Sequence, residues 1–254
     1  MIKISIITVV LNNKKYIEDC IQGVLEQTYQ NIEYIVVDGG STDGTLDIIK
    51  KYDDKITKWI SEPDRGIYDA MNKGISMATG DVVGILNADD VYYDCNVLGS
   101  VADIMRNANI DACYSDLVYV GQHDLGAVIR YWRSCPFKPG LFREGWVPPH
   151  PTFFARKRIY EQYGNFDLDY TLAADYELLA RLLERHRITS VYVPKIFVKM
   201  RLGGATNKSI ANILKQNIEI LRACKKNKIK ILLAVFLMHK LISRLNQFQR
   251  KPAS

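Results

Sequence analysis

The stretch Val83-Gly84-Ile85-Leu86-Asn87-Ala88-Asp89-Asp90-Val91-Tyr92 decides how this chain is read. An apolar run suited to a buried strand ends abruptly in Asn87, Asp89 and Asp90. Adjacent carboxylates at a buried strand end repel each other and are costly to desolvate. A divalent cation removes that cost, because hard cations such as Mg2+ take carboxylate oxygens and bridge to phosphates. The expectation is that Asp89 and Asp90 hold a metal and a sugar nucleotide. A turn leading into a helix N-cap is the plainer alternative.

Upstream of this stretch the chain repeats strand, polar loop, helix. Residues 3–11 are rich in Ile and Val without polar alternation, the pattern of a strand buried on both faces of a parallel sheet. Asn12 or Asn13 can cap a helix over 14–27. A strand follows at 33–37, a helix at 45–52, a third strand at 55–61, a helix at 66–78 and a strand at 81–86. This order predicts an α/β fold, a mostly parallel open sheet flanked by helices. Ligands bind such sheets at the carboxyl ends of the strands. Three polar strand ends, at 8–12, 38–43 and 87–90, should therefore face one crevice.

Downstream the pattern is less regular. A helix is expected at 96–107, a strand at 111–120 with a hairpin partner at 126–133, and a short apolar run at 152–155 after Pro148-Pro149-His150-Pro151. Leu178, Leu179, Leu182 and Leu183 give the core face of a helix over 174–185. A late strand at 190–200 and helices at 209–223 and 229–248 complete the expectation. The boundaries are 1–206 for the α/β domain and 207–254 for a basic, amphipathic helical extension.

The hydrophobic fraction of 48% is that of a globular protein with a sizeable core. The net charge of +6 is concentrated at one end. No acidic residue follows Glu219, whereas Lys225, Lys226, Lys228, Lys230, Lys240, Arg244, Arg250 and Lys251 all do. Such a patch fits an anionic surface, membrane or nucleic acid. Only Phe236 and Phe248 interleave the tail's charges, and its apolar stripe dominates, so lipid fits better than stacked bases. The five cysteines form no CxxC pair, which fits a reducing compartment rather than a zinc or disulfide framework. No signal peptide is expected at the N-terminus, and no window reaches the roughly 18–20 apolar residues of a spanning helix.

The polar strand ends carry the candidate chemistry, each beside a plainer role. Asp38 can accept from a base N–H at a fixed distance from the sheet, or simply start the Asp38-Gly39-Gly40 loop. Ser41-Thr42-Asp43-Gly44 can hold a nucleoside or cap a helix. Arg65 and Lys73 can neutralise a diphosphate, or Asp69 and Lys73, four apart, can form a surface i,i+4 salt bridge. Asp175 lies at a helix N-terminus, where the anion is stabilised, and so suits a general base. Glu177 is its rival, and a plain helix charge the alternative. His150 is a metal or phosphate ligand, or a buried His satisfied by backbone. Gly203-Gly204-Ala205-Thr206 reads as a flap with Gly hinges or as a turn.

Together these pieces resemble the family 2 glycosyltransferases of GT-A fold, over about 3–206. The resemblance is carried by Ser5-Ile6-Ile7-Thr8-Val9, by Val36-Val37-Asp38-Gly39-Gly40-Ser41-Thr42-Asp43-Gly44-Thr45 and by Glu62-Pro63-Asp64-Arg65-Gly66-Ile67-Tyr68-Asp69-Ala70-Met71-Asn72-Lys73-Gly74. It continues through Leu86-Asn87-Ala88-Asp89-Asp90, His150-Pro151-Thr152 and Ala173-Ala174-Asp175-Tyr176. The resemblance implies a nucleotide-sugar donor, a UDP-linked sugar being the expectation, and a Mg2+ or Mn2+ cofactor. It puts Thr8 and Asp38 at the nucleobase, with Val9, Asn12, Ser41, Asp69 and Asn87 among the donor-binding positions. Arg65 and Lys73 fall near the diphosphate, Asp89 near the ribose, Asp90 with His150 on the metal, and Asp175 at the catalytic base. Where the family usually has an acidic pair before the base, this chain has Ala174-Asp175. No QxxRW motif is present, which favours transfer of a single sugar.

The Glu62–Gly74 pattern looks like that of bacterial capsule, O-antigen or exopolysaccharide enzymes, whose acceptors are commonly polyprenyl-diphosphate-linked saccharides. A cytoplasmic location, peripheral at the inner face of the membrane through the C-terminal helix, is the matching expectation. Packing of that helix on the core or on a second subunit of a homo-oligomer is the alternative. A nucleotidyltransferase would carry a Gly-rich, basic loop where this chain has Val9-Val10-Leu11-Asn12-Asn13. A non-catalytic scaffold would have no need of Asp89, Asp90 and Asp175.

Overall fold

The computed structural model describes residues 1–203, 209–231, 236, 238, 247 and 248. Strand β1 (Ile4–Val10) lies at the heart of the sheet, and all seven of its residues are buried. Its side chains alternate between two cores, as a pleated strand requires. Ile7 and Val9 enter one core, and Ile4, Ile6 and Val10 the other. β1 pairs in parallel with β2 (Ile32–Asp38) and β4 (Val82–Ile85), and β2 pairs in parallel with β3 (Lys58–Ser61).

The crossovers supply the covering helices. α1 (Ile17–Leu25) and α2 (Thr45–Lys51) share one face with α4 (Val97–Met105). α3 (Ile67–Met77) covers the other, joined by α5 (Lys157–Tyr163), α6 (Ala174–Leu179) and α7 (Ile210–Lys226). Close approach is enforced by glycine: a Cβ on Gly74 of α3 would lie 2.3 Å from the Ile7 side chain. In β4, a Cβ on Gly84 would lie 2.3 Å from the Phe154 ring.

Beyond β4 the sheet turns mixed. β8 (Phe154–Arg156) runs antiparallel to β4, and β6 (Ala112–Val120) antiparallel to β8. β9 (Ser190–Arg201) is parallel to β6, and β5 (Val91–Tyr92) antiparallel to β9. β7 (Val128–Trp132) forms the expected hairpin with β6. The order is β3-β2-β1-β4-β8-β6-β9-β5, so the parallel character belongs to the first four strands plus the β6–β9 pair.

Several elements depart from expectation. α1 begins at Ile17 rather than at 14, because Asn12 takes a left-handed backbone (φ 49°) and residues 14–16 form a turn. No Asn side chain caps it; the Asn13 carbonyl accepts from the N–H groups of Tyr16 and Ile17 instead. The 174–185 helix widens into a π-type turn over Ala180–Arg185. α7 contributes Ile220, Ala223 and Cys224 to the core that holds α6, so it is not a separate body. Residues 204–206 of the flap, and most of the helix expected over 229–248, lie outside the described residues.

One buried ion cluster ties the N-terminal edge of the sheet together. Glu33 of β2 is 1% exposed between Lys3 and Lys58, at 3.4 and 3.1 Å. It also accepts from the Ser5 hydroxyl, and from the N–H and hydroxyl of Thr79. Burial pushes its pKa up, but the Ser5, Thr79 and Lys58 hydrogen bonds outweigh that and hold it at about 2. The stabilisation is therefore complete above the ordinary value of 4.5 and lost as the pH falls toward about 2. Glu33→Gln should lower stability at pH 7 by about 3 kcal/mol. It should also flatten the pH dependence of urea unfolding between those two values.

Candidate active site

The carboxyl ends of β1 and β4, the segment before α3 and the start of α6 enclose a cavity of about 390 Å3. Val9, Leu11 and Asn13 reach it from β1 and its loop, and Asn87 and Asp89 from the end of β4. Asp64 and Tyr68 come from around the α3 N-terminus, His150 from the Pro-rich loop, and Asp175 from α6. A second cavity of about 270 Å3 adjoins it, with Arg130, Trp132, Arg133 and Trp146 on its walls. His150, Asp175 and Met200 line both.

The loop at 87–90 turns tightly, with the Asp90 N–H donating to the Asn87 carbonyl at 3.0 Å. Asp89 lines the cavity, whereas Asp90 is 1% exposed and enclosed behind it. Of the two aspartates expected at a metal and a sugar nucleotide, the turn presents Asp89 to the cavity. Among the described residues neither oxygen of Asp90 has a well-formed hydrogen bond, and the Asn87 amide oxygen is likewise unpartnered and buried. Burial pushes the Asp90 pKa well above the carboxylate range and the Asp89 charge adds to it, while Arg201 and Asn87 only partly oppose. Burial also raises Asp89, against its own backbone N–H and Arg201.

Unsatisfied anionic oxygens of this kind fit a nearby cation. Among the described residues no group of three or more His, Cys, Asp or Glu side chains is placed to hold one. Asp89 and Asn87 line the cavity, and a pair of this kind suits an ion that completes its shell from phosphates and water, as Mg2+ does. His150 lines the same cavity. Its Nδ1 lies 3.2 Å from an Asp175 oxygen.

Asp175 is the best-organised carboxylate in the cleft. It stands in the first turn of α6 with its side chain 22% exposed. One oxygen accepts from the Tyr68 hydroxyl at 3.1 Å, and the other faces His150. Burial and the Asp175 charge raise the Tyr68 pKa well above its ordinary value, so the phenol stays a neutral donor. Tyr68 is held in turn by stacking on Phe166, with ring centres 5.5 Å apart. Glu177, the rival base, is fully buried against Arg181 and Asn227 and lines neither cavity.

The other expected donor positions are placed differently. Thr8 is fully buried, accepts from the Tyr34 hydroxyl and does not line the cavity, although its neighbour Val9 does. Asp38 is fully buried too, and accepts from the Ser41 N–H and hydroxyl and from the Ser61 hydroxyl. Asn12 and Ser41 lace the two loops: the Asn12 N–H donates to the Ser41 hydroxyl, and the Asn12 amide oxygen accepts from Thr42. Arg65 pairs with Asp69 in an i,i+4 bridge. Lys73 pairs with Asp64 and Glu62 rather than Asp69. None of Asn12, Asp38, Ser41, Arg65, Asp69 and Lys73 lines the main cavity.

Sequence reasoning assigned no role to Tyr68 or Arg201. Arg201 is 4% exposed, donates to the Asp89 backbone carbonyl at 2.8 Å, pairs with Asp19 and lies over the Tyr16 ring. It thereby fixes the loop that carries Asp89. The available signal was a single cation between apolar residues, Met200 and Leu202, just before a glycine pair.

The fold is that of GT-A glycosyltransferases. Staphylococcus aureus TarS residues 1–349, solved with UDP-GlcNAc, superposes with a TM-score of 0.65 at 19% identity, over 99% of this chain and 76% of that one. The mannosyltransferase PcManGT from Pyrobaculum calidifontis, solved with GDP-Man and Mn2+, gives 0.65 at 18% identity over 95% and 70%. A Mycobacterium tuberculosis PGL/p-HBAD biosynthesis glycosyltransferase is 31% identical over 215 residues, 80% of this chain and 78% of that protein. Residues 5–164 match the sequence profile of glycosyl transferase family 2. This protein is a glycosyltransferase, and the chain belongs to glycosyl transferase family 2.

Asp90 carries a testable consequence. A carboxyl raised on folding destabilises the fold increasingly as pH rises above its ordinary 3.8. In EDTA at pH 7, Asp90→Asn should therefore raise stability by about 1–3 kcal/mol, since it removes a buried carboxyl that folding must keep protonated above its ordinary value. The gain should shrink as the pH falls toward about 4 in urea titrations.

Proposed function

We propose that this protein transfers one sugar, with inversion, from a nucleotide-diphosphate sugar to a saccharide hydroxyl, with Asp175 as the general base. The observation that carries the reading is the position of Asp175 at the junction of two cavities. A donor in the larger cavity and an acceptor in the smaller would meet beside its carboxylate. The acceptor oxygen attacks the anomeric carbon as Asp175 takes its proton. The bond from that carbon to phosphate breaks, and the electron pair leaves on the nucleoside diphosphate. Tyr68 and His150 hold the Asp175 carboxylate in place during this step. Inversion follows from a single displacement with one base and no protein nucleophile.

Asp89 and Asn87 would hold Mg2+ or Mn2+ at the diphosphate. When bound, the cation neutralises charge on the departing group. A UDP-linked donor is supported by the UDP-GlcNAc complex of TarS, and a metal by the Mn2+ complex of PcManGT.

The smaller cavity suits a saccharide bearing anionic groups. Trp132 and Trp146 offer aromatic faces, and the Arg130 guanidinium stacks 3.6 Å over the Tyr119 ring. A polyprenyl-diphosphate-linked saccharide of bacterial surface polysaccharide assembly, met at the cytoplasmic membrane face, is the proposed acceptor. No helix among the described residues is long and apolar enough to cross a membrane. α7 instead exposes Leu214 and Ile218, four residues apart, beside the basic residues Lys215 and Arg222. That face is suited to lying on an anionic bilayer.

Asp175→Asn should lower kcat for UDP release from UDP-GlcNAc by about 10^2–10^4 while leaving the donor KM nearly unchanged. Asp89→Asn and EDTA should each reduce turnover at least as far, with Mn2+ restoring only the wild type. Wild-type turnover in Asp175→Asn would remove the base assignment.

A further inference from the structure

We infer that Glu219 of α7 is a positioning residue for Asp175, so that a helix outside the family profile sets the geometry of the reaction centre. The inference rests on the reading of Asp175 as the base. The α6 helix has no side-chain cap of its own: its N-cap residue is Ala173. Glu219 supplies the missing acceptor from another helix.

Glu219 is 3% exposed. Its two oxygens accept from three consecutive backbone N–H groups, Thr171 (3.0 and 3.1 Å), Leu172 (2.8 Å) and Ala173 (3.0 Å), and from the Thr171 hydroxyl at 2.8 Å. Burial pushes the Glu219 pKa up, but these donors outweigh it and hold the carboxyl below its ordinary value. A carboxylate accepting from three successive amides defines the path of that backbone, since any rotation of the segment strands a buried charge. Asp175 follows Ala173 by two residues, and Thr171 and Leu172 themselves line the larger cavity.

The other partners of the Asp175 side chain, Tyr68 and His150, act on its carboxylate. α7 adds lesser straps to the same loop, the Lys226–Asp167 pair and Arg222 over the Tyr170 ring. Both Glu219 and Asp175 lie beyond residues 5–164, the stretch that matches the family profile.

The test compares Glu219→Gln, Asp175→Asn and the double variant, as full-length protein with UDP-GlcNAc or GDP-mannose and Mn2+. Glu219→Gln is expected to lower kcat for nucleoside-diphosphate release about 10- to 100-fold with the donor KM changed less than about twofold. On the Asp175→Asn background it should cause no further loss. Equal losses on both backgrounds would mark a merely structural residue and overturn the inference. Wild-type turnover in Asp175→Asn would instead overturn the base assignment beneath it. Amide hydrogen exchange needs no donor and separates folding from positioning. Glu219→Gln should exchange at least about tenfold faster at residues 171–175 and unchanged in β1 and β4. Unaltered protection at 171–175 also overturns the inference.

Discussion

A parallel sheet covered by helices on both faces leaves few places where polar groups meet solvent. In β1 all seven residues are buried, the polar Ser5 and Thr8 among them, so side chains reach solvent only where the strand stops. The parallel alignment of β1, β2 and β4 brings their three stops to one edge of the sheet. That constraint builds the cleft. It also explains why the polar residues there differ so much in solvation: Asp38 and Asp90 fall on the inner side of the edge, and Asp89 on the outer.

The two buried aspartates show how neighbours decide what a carboxylate can do. Asp38 is satisfied by three donors from Ser41 and Ser61 and acts as a loop organiser. Asp90 has no well-formed one among the described residues and carries an electrostatic load. Asp175 stands between these extremes, held by two neutral or weakly basic partners and still open to both cavities. A base needs that intermediate state, oriented but not saturated.

Much of this was legible in the sequence. The Ile- and Val-rich run of β1 pointed to both-face burial, and the polar ends of β1, β2 and β4 pointed to the cleft. The short elements were not legible. β5 is two residues long, immediately after Asp90, and exists only because β9 lies alongside. α5 has seven residues and follows β8 without a break, so periodicity had nothing to grip. Within the site, residue type identified candidates but not their direction. Whether Asp89 or Asp90 faces the cavity is set by one backbone hydrogen bond in a turn, and no composition rule sees it. The ion pairs of Arg65 with Asp69, and of Lys73 with Asp64 and Glu62, likewise depend on side-chain direction.

Arg201 grips a peptide carbonyl of the 87–90 loop instead of a side chain. An arginine bound in this way is indifferent to which residue occupies position 89 but sensitive to where that carbonyl sits. The grip from the far end of β9 therefore gauges the length of the loop, so that an inserted or deleted residue would carry the carbonyl away from the guanidinium, whereas the chemistry of the loop is left to its side chains.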